Sequence, residues 1–306
     1  MQYDLIIVGG GPAGLTAAIY AGRAAIKPLV LSGRMPGGQI SSTDLVENFP
    51  GFPEGVSGFD LALAIQRQAE RFGAEIVQEV ASKVDFSVRP IVVETQSQAY
   101  QARSVIIATG AFPRRLGIPG ESEFFGRGVS TCATCDGFFF RDKVVVVIGG
   151  GDSAIDEGLF LTRFARQVIV VHRRDELRAS KQLQERAFAD PRMCFVWDSV
   201  AKGILGDQIV VGVRVRNLKT DETRVIETDG VFIYVGLVPA TKIFRGQVDL
   251  DPLGYVITDD HQRTSVPGVF AAGDVQSPDF RQCVVAAGSG ASAAIQAGRY
   301  LSEHPA

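Results

Sequence analysis

Apolar and polar positions follow two rhythms along this chain, and each change of rhythm marks an element. Residues 4–8 (Asp-Leu-Ile-Ile-Val) are a short apolar run, the pattern of a strand buried on both faces. A glycine cluster interrupts it. Apolar residues then recur at helical spacing over 15–24, and a second apolar run follows at 28–31. The same order of strand, turn, helix and strand returns at 143–148, 153–164 and 167–171. Residues 59–71 predict an amphipathic helix with Leu61, Ile65, Ala69 and Phe72 on one face. Segments 74–80, 83–88 and 91–95 predict a small β-meander, and 104–108 a strand ending in Thr109-Gly110. The stretch 203–236 is β-rich, with its last strand at 230–235. A further strand from 269 runs into Gly273-Asp274, and a helix of small residues over 282–301 closes the chain. Two strand–turn–helix–strand units predict an α/β fold with two Rossmann-like nucleotide-binding domains.

Composition narrows the function classes. The 306 residues give room for two domains. Thirty-one basic against 34 acidic residues, with a pI near 5.7, leave no general basic surface for nucleic acid. Four cysteines in a chain this long do not make a disulfide scaffold; they fit a cytoplasmic enzyme with one working pair. The first strand begins at once, leaving no room for a signal peptide. The apolar stretch 5–21 is broken by Gly9, Gly10, Gly11, Pro12 and Gly14, so it reads as strand, turn and helix rather than a membrane span.

Both glycine clusters stand where a dinucleotide fingerprint requires them. In Gly9-x-Gly11-x-x-Gly14 the first glycine permits the tight turn, the second lets the backbone approach a diphosphate, and the third lets helix and strand pack closely. The diphosphate then faces free N–H groups at the helix start. The acid expected at the end of the second strand is absent; Ser32-Gly33-Arg34 stands there, so the fingerprint alone does not name the dinucleotide. The second loop reads Gly149-x-Gly151-x-x-Ala154, and its second strand is followed by His172-Arg173-Arg174-Asp175-Glu176-Leu177-Arg178. Arginines in place of the ribose-binding acid suit a 2′-phosphate, hence NADPH. Asp274, at the end of a strand, suits a cofactor hydroxyl or is a turn residue. The helix start near Gln282 suits negative charge on a reduced flavin.

Between the two loops lies Cys132-Ala133-Thr134-Cys135-Asp136-Gly137-Phe138-Phe139. Cysteines at this spacing can cycle between disulfide and dithiol. As a cross-link the pair would add only about 2 kcal/mol, against ~3 for a 15-residue loop. Labile disulfides tend to be the catalytic ones. The alternatives are a zinc half-site and two unrelated core thiols. Zinc normally takes four ligands, whereas Cys194 and Cys283 stand alone and His172, His261 and His304 show no ligand spacing. The nucleotide loops on either side favour redox chemistry, with no metal.

With these pieces placed, the whole chain resembles the low-molecular-weight, bacterial-type thioredoxin reductases. The resemblance is carried by residues 9–14, Ala108-Thr109-Gly110, residues 132–137, the stretch 172–178 and Ala272-Gly273-Asp274-Val275. It implies an NADPH domain at 115–240, with the redox pair, inserted in an FAD domain at 1–114 and 241–306. FAD would be held by Gly9, Gly11, Pro12, Ala13, Gly14, Gly38, Gln39, Asn48, Thr109, Gly110, Gly273, Asp274, Arg281 and Gln282. NADPH would be held by Gly149, Gly151, Asp152, Ser153, Ala154, His172, Arg173, Arg174 and Arg178. The resemblance further implies that Cys135 lies against the flavin, that Cys132 is the exchange nucleophile and that Asp136 is the acid–base, its bland alternative being a helix N-cap. It implies a homodimer and a thioredoxin partner docking near Arg127, Phe138 and Phe139. One departure stands at the second crossing, where Gly236-Leu237-Val238-Pro239-Ala240-Thr241 lacks the family's His and Asn. The competing readings are a reductase of a peroxiredoxin-linked or other thioredoxin-like protein, a reductase of a non-disulfide acceptor, and a non-catalytic flavin redox sensor.

Overall fold

The computed structural model of the chain describes residues 2–43, 46, 48–277 and 280–305, and only the backbone of Ser42, Thr134 and Cys135. In chain order, β1 (Gln2–Val8) leads through the first glycine turn to α1 (Pro12–Arg23) and β2 (Pro28–Leu31). Pro12 opens the helix because its missing N–H would have had no partner there. α2 (Gly58–Arg71) is capped by the Ser57 hydroxyl, which accepts the Asp60 N–H. Then come β3 (Glu75–Val77), β4 (Lys83–Asp85), β5 (Ile91–Glu94), β6 (Ala99–Ile107), β7 (Ala111–Pro113) and β8 (Val129–Ser130). The short α3 (Ala133–Asp136) precedes β9 (Val144–Ile148), α4 (Asp152–Leu161), β10 (Gln167–Val171), α5 (Lys181–Ala189) and β11 (Met193–Val196). β12 (Ser199–Gly206), β13 (Val210–Asn217), β14 (Thr223–Glu227), β15 (Gly230–Ile233), β16 (Leu237–Pro239), β17 (Val269–Ala271) and α6 (Cys283–Glu303) complete the chain.

The chain forms two compact units, Met1–Phe112 with Val238–Ala306, and Pro113–Leu237, so the second is inserted in the first. In the first unit the sheet order is β3-β2-β1-β6-β5-β4, with β17 also on β6. β3, β2, β1, β6 and β17 pair in parallel, while β4 and β5 are antiparallel. Leu5 and Ile7 of β1 pack under Ala17, Leu61 and Ala293, from the three helices. Ile6 and Val8 face the other way, onto Phe86, Val93 and Phe244. Burial on both faces is why β1 reads as an unbroken apolar run.

The expected meander over 74–95 needs correction. Its first segment is β3, which pairs in parallel with β2 at the opposite edge from β4 and β5. α2 returns the chain beside β2 as a crossover between parallel strands. Alternation within a strand reports which face is buried, not which neighbour it meets.

The second unit has a fully parallel sheet, β11-β10-β9-β15-β8, and an antiparallel sheet, β12-β13-β14. Val145 and Val147 face Ala154 and Ile155 of α4, whereas Val146 and Ile148 face Ile204, Val213 and Val215. Helices cover one face and β-structure the other. Among the described residues no helix is long and apolar enough to cross a membrane.

α6 packs tightly against α1. A Cβ on Gly290 would lie 2.1 Å from the Ala13 carbonyl oxygen, a backbone atom that cannot swing aside. Gly290→Val is therefore expected to destabilise the protein by about 3 kcal/mol, the upper end of ordinary overpacking costs. Urea unfolding followed by circular dichroism checks this; an unchanged midpoint would place the helices farther apart than described.

Candidate functional site

Each unit has a helix that starts behind a glycine turn without a side-chain cap. In the first, Gly9 takes φ +121°, and a Cβ there would lie 2.1 Å from the Ala108 carbonyl oxygen. Gly14 is as tight: its Cβ would lie 1.9 Å from the Gly9 oxygen. Gly11, by contrast, has nothing nearer to its would-be Cβ than the Gly38 Cα at 3.9 Å, and no side chain caps the helix. The cradle between Gly11, Pro12, Ala13 and Gly38 thus offers open space and free N–H groups, which fits the diphosphate of a dinucleotide.

Around this cradle the expected flavin residues are held as follows. The Gln39 amide donates to the Ala111 carbonyl. The Thr109 hydroxyl donates to the Ala240 carbonyl at 2.9 Å, and the Ala240 N–H donates to Gly110 at 2.9 Å. Ala240, standing where the family has Asn, is therefore fixed through its main chain. Asn48 donates to Gln282 at 3.0 Å, just before α6. Asp274 sits in the turn after β17, where the Gly273 N–H donates to Ser289 at 2.9 Å. Burial raises the Asp274 carboxyl above its ordinary range, and the Arg281 cation opposes the shift. Cys283, beside it, is pushed up to about 11, first by burial and then by Asp274. Ser32, in place of the ribose acid, is buried and donates to the Val77 carbonyl at 3.1 Å.

The second loop repeats the design. Gly149 takes φ +150°, and its Cβ would lie 2.4 Å from the Tyr234 carbonyl oxygen. Gly151 caps α4 without a side chain, and among the described residues the only group near its would-be Cβ is the Arg178 guanidinium at 3.8 Å. Asp152 turns to the next helix, accepting the Ser180 N–H at 2.8 Å. Ser153 and Ala154 complete the first turn of α4. Arg173, Arg174 and Arg178 are exposed, and among the described residues none of the three pairs with a carboxylate. Three unpaired guanidinium groups beside an open helix start fit a phosphate-bearing nucleotide. His172 differs from its arginine neighbours. It is buried, with its ring against Gly150, where a Cβ would lie 2.3 Å from Nδ1, and its Nε2 has no hydrogen-bond partner. Burial first, then Arg178, Arg174 and Arg173, lower its pKa, so the ring that supports the loop is neutral.

The redox segment lies in this same unit. Cys132 is half-buried and disulfide-bonded; the Cys135 side chain lies outside the described residues. The Cys132 N–H donates to the Ser130 hydroxyl at 3.0 Å, and the Asp136 N–H donates to the Cys132 carbonyl at 3.2 Å. Asp136 precedes the 3-10 turn Gly137–Phe140, but its side chain makes no capping bond. Phe138 and Phe139 are 60% and 61% exposed, whereas Phe140 is buried edge-on to Phe232. Arg141 lies over the Phe138 ring at 5.1 Å, and Arg127 is exposed, donating to the Glu123 carbonyl.

Two residues here were missed by sequence reasoning. Glu157 accepts the Ala133 N–H at 3.2 Å, and the Tyr234 hydroxyl donates to the same carboxylate oxygen at 3.4 Å. The available signal was an acid three positions after Ala154 and four before Leu161, on the buried stripe of α4. Among the described residues no three His, Cys, Asp or Glu side chains assemble as a metal cage.

Comparison with known proteins agrees with this geometry. The profile of the family described as pyridine nucleotide-disulphide oxidoreductase matches residues 3–290. The chain is 50% identical to a thioredoxin reductase of Streptomyces coelicolor over 302 residues, 98% of this chain and 94% of the relative. It is similar to the crystal structure of Lactococcus lactis thioredoxin reductase, with a TM-score of 0.80 at 44% identity, covering 98% and 99% of the two chains. It is equally similar to that of Streptococcus pyogenes, with a TM-score of 0.80 at 46% identity and 99% of each chain covered.

The neutral, buried His172 predicts a pH dependence. Unfolded, the ring takes up a proton near pH 6.5, about its ordinary pKa, while the folded chain resists protonation. Stability is then full above this pH and falls as the pH drops through it. The melting temperature is expected to fall between pH 7.5 and 5.5, and to fall less steeply in His172→Gln. Parallel pH profiles would remove His172 from the linkage.

Proposed function

Because the chain belongs to the pyridine nucleotide-disulphide oxidoreductase family and, within it, to the thioredoxin reductases, we propose that it passes electrons from NADPH through FAD to Cys132 and Cys135, and from these to thioredoxin. The observation that carries the assignment is the disulfide-bonded Cys132 lying in the unit that holds the arginine-flanked nucleotide loop. FAD and NADPH, when bound, supply the hydride relay that delivers two electrons to the disulfide.

The chain's own residues do the rest. The amides around Gly11, Pro12 and Ala13 face the FAD diphosphate, with Gly38, Gln39, Asn48, Thr109, Asp274 and Gln282 orienting the remainder. The amides around Gly151, Asp152 and Ser153 face the NADPH diphosphate, and Arg173, Arg174 and Arg178 hold the 2′-phosphate. Once the pair is reduced, the Cys132 thiolate attacks the thioredoxin disulfide. One sulfur–sulfur bond breaks and a mixed disulfide forms; the departing thioredoxin thiolate takes a proton. Cys135 then attacks Cys132 and releases the second thioredoxin thiolate, which closes the Cys132–Cys135 bond again. Asp136 holds and returns the proton exchanged at each step.

Exposed Phe138 and Phe139, with Arg127, form the docking surface for thioredoxin. Val284 and Ile295, exposed on α6 at 41% and 46%, support a homodimer through the first unit. The small number of cysteines supports a cytoplasmic setting.

NADPH-driven reduction of thioredoxin, coupled to a chromogenic disulfide, tests the function. The parent should turn over, and Cys132→Ser and Cys135→Ser should each lose at least about 10³-fold in rate, as when a nucleophile is removed. Turnover of a peroxiredoxin-linked protein but not of thioredoxin would redirect the partner, and parent-like rates in either variant would refute the mechanism.

Coenzyme choice gives a second test. Hydrogen bonds to charged groups contribute roughly 1.5–3 kcal/mol each. Arg173→Ala with Arg174→Ala should therefore cost about 3–6 kcal/mol, or roughly 10²–10⁴ in the ratio of kcat/KM for NADPH over NADH. An unchanged ratio would take the 2′-phosphate away from this loop.

A further inference from the structure

Three polar groups meet beside Cys132, and two of them are not among the residues assigned above. The Ala133 amide is next in the chain to Cys132. It donates to Glu157 Oε2 at 3.2 Å, and the Tyr234 hydroxyl donates to the same oxygen at 3.4 Å. Tyr234 follows β15, is tied by its own N–H to the Ile148 carbonyl at 2.8 Å, and presents its carbonyl to Gly149. Its phenol is raised well above the ordinary range, chiefly by burial and then by Glu157, so it stays protonated and acts as a donor.

This arrangement bears on which charge the start of α3 favours. Thiols at a helix start are ordinarily acidic because free amides and nearby cations favour the thiolate. Here the Cys132 amide goes to Ser130, the Ala133 amide to Glu157 and the Asp136 amide to the Cys132 carbonyl. The charged groups that the structure ties to α3 are Glu157 from α4, through the Ala133 amide, and Asp136 at its own end. Tyr234 is neutral, the turn Gly137–Phe140 brings no titratable group, and Asp152 and Asp156 of α4 are exposed.

We propose that Glu157 is a positioning residue of the redox pair: its carboxylate fixes the Ala133 amide, and with it the Cys132 backbone, and its charge biases the reduced Cys132 towards the thiol. Such a thiol is less exposed to adventitious oxidation, which follows thiolate character. The thiolate, once formed, is the stronger nucleophile because nucleophilicity rises with pKa. The proposal rests on Cys132 as the exchange thiol, and its test needs no thioredoxin, so the two readings fail separately.

The test uses the full-length holoenzyme carrying Cys135→Ser, which leaves Cys132 as a single thiol in the segment. A small aromatic disulfide is the probe. The Cys132 thiolate attacks one probe sulfur, the probe disulfide bond breaks and the aromatic thiolate leaves. Mass analysis of the peptide containing residue 132 quantifies the adduct against pH. Glu157→Gln, which keeps the acceptor and removes the charge, should move the midpoint about one pH unit lower, the low end of neighbouring-charge shifts. Below both midpoints the thiolate fraction rises about tenfold while nucleophilicity falls roughly threefold, so the adduct forms about threefold faster. Above both midpoints it forms about threefold slower, and the two curves cross. Glu157→Ala should show the same crossing with a lower melting temperature. A merely structural role would move the rate in one direction at every pH. Curves that coincide, or that shift without crossing, would overturn the proposal.

Discussion

The two glycine turns depend on one packing constraint: a strand must end in a turn so tight that a neighbouring backbone fills the place of a side chain. In the first unit the neighbour is Ala108, after β6; in the second it is Tyr234, after β15. Both strands pair in parallel with the strand that enters the turn. The parallel register therefore carries the carbonyl of the third strand into the space that Gly9 or Gly149 leaves open. This leaves a helix start whose amides have no side-chain cap, the condition an anion site requires. The third fingerprint position shows how far the constraint extends. Gly14 has no room for a methyl group against the Gly9 carbonyl, whereas the second helix carries one at Ala154.

Much of this was legible because it is local. Strand β1, helix α1 and strand β2, and their counterparts β9, α4 and β10, have glycine, proline and apolar signals within about thirty residues. The exposed place of Arg173 and Arg174 just after β10 was also a matter of local position. Strand partners were less legible. The segment that became β3 alternates as a meander strand would, yet its neighbour was set by the α2 crossover and not by its own pattern. The long β6 shows the same limit. Only 104–108 read as strand, because the residues of β6 before Ser104 alternate between buried and exposed and carry a weaker apolar signal.

Residues whose role depends on a buried contact were the least legible. His172 reads in sequence as one more basic residue ahead of the arginines, but it folds inward onto Gly150 because that position has no side chain. Glu157 reads as an ordinary charge on an amphipathic helix, and Tyr234 as the end of an apolar strand. Their meeting at Ala133 follows from the parallel order β9-β15-β8, which brings the segment after β15 beside the segment after β8. A one-dimensional pattern contains each residue but not that adjacency.

Helix α4 therefore carries two features within about two turns. Its first turn is bare at Gly151, and Arg178 stands beside it. Glu157, five residues after Asp152, faces the amide that follows Cys132. Positive charge gathers where an anion must be held, and negative charge where a thiolate must not form too readily. Both ends of this gradient hang on one rigid element packed against Val145 and Val147. A displacement of α4 cannot change the nucleotide loop and leave the Ala133 amide untouched, because Tyr234 contacts both: its carbonyl closes on Gly149, and its hydroxyl reaches Glu157. The placement of the redox pair in the nucleotide unit thus has a physical consequence beyond proximity. Whatever holds the loop in place also sets the charge environment in which Cys132 reacts.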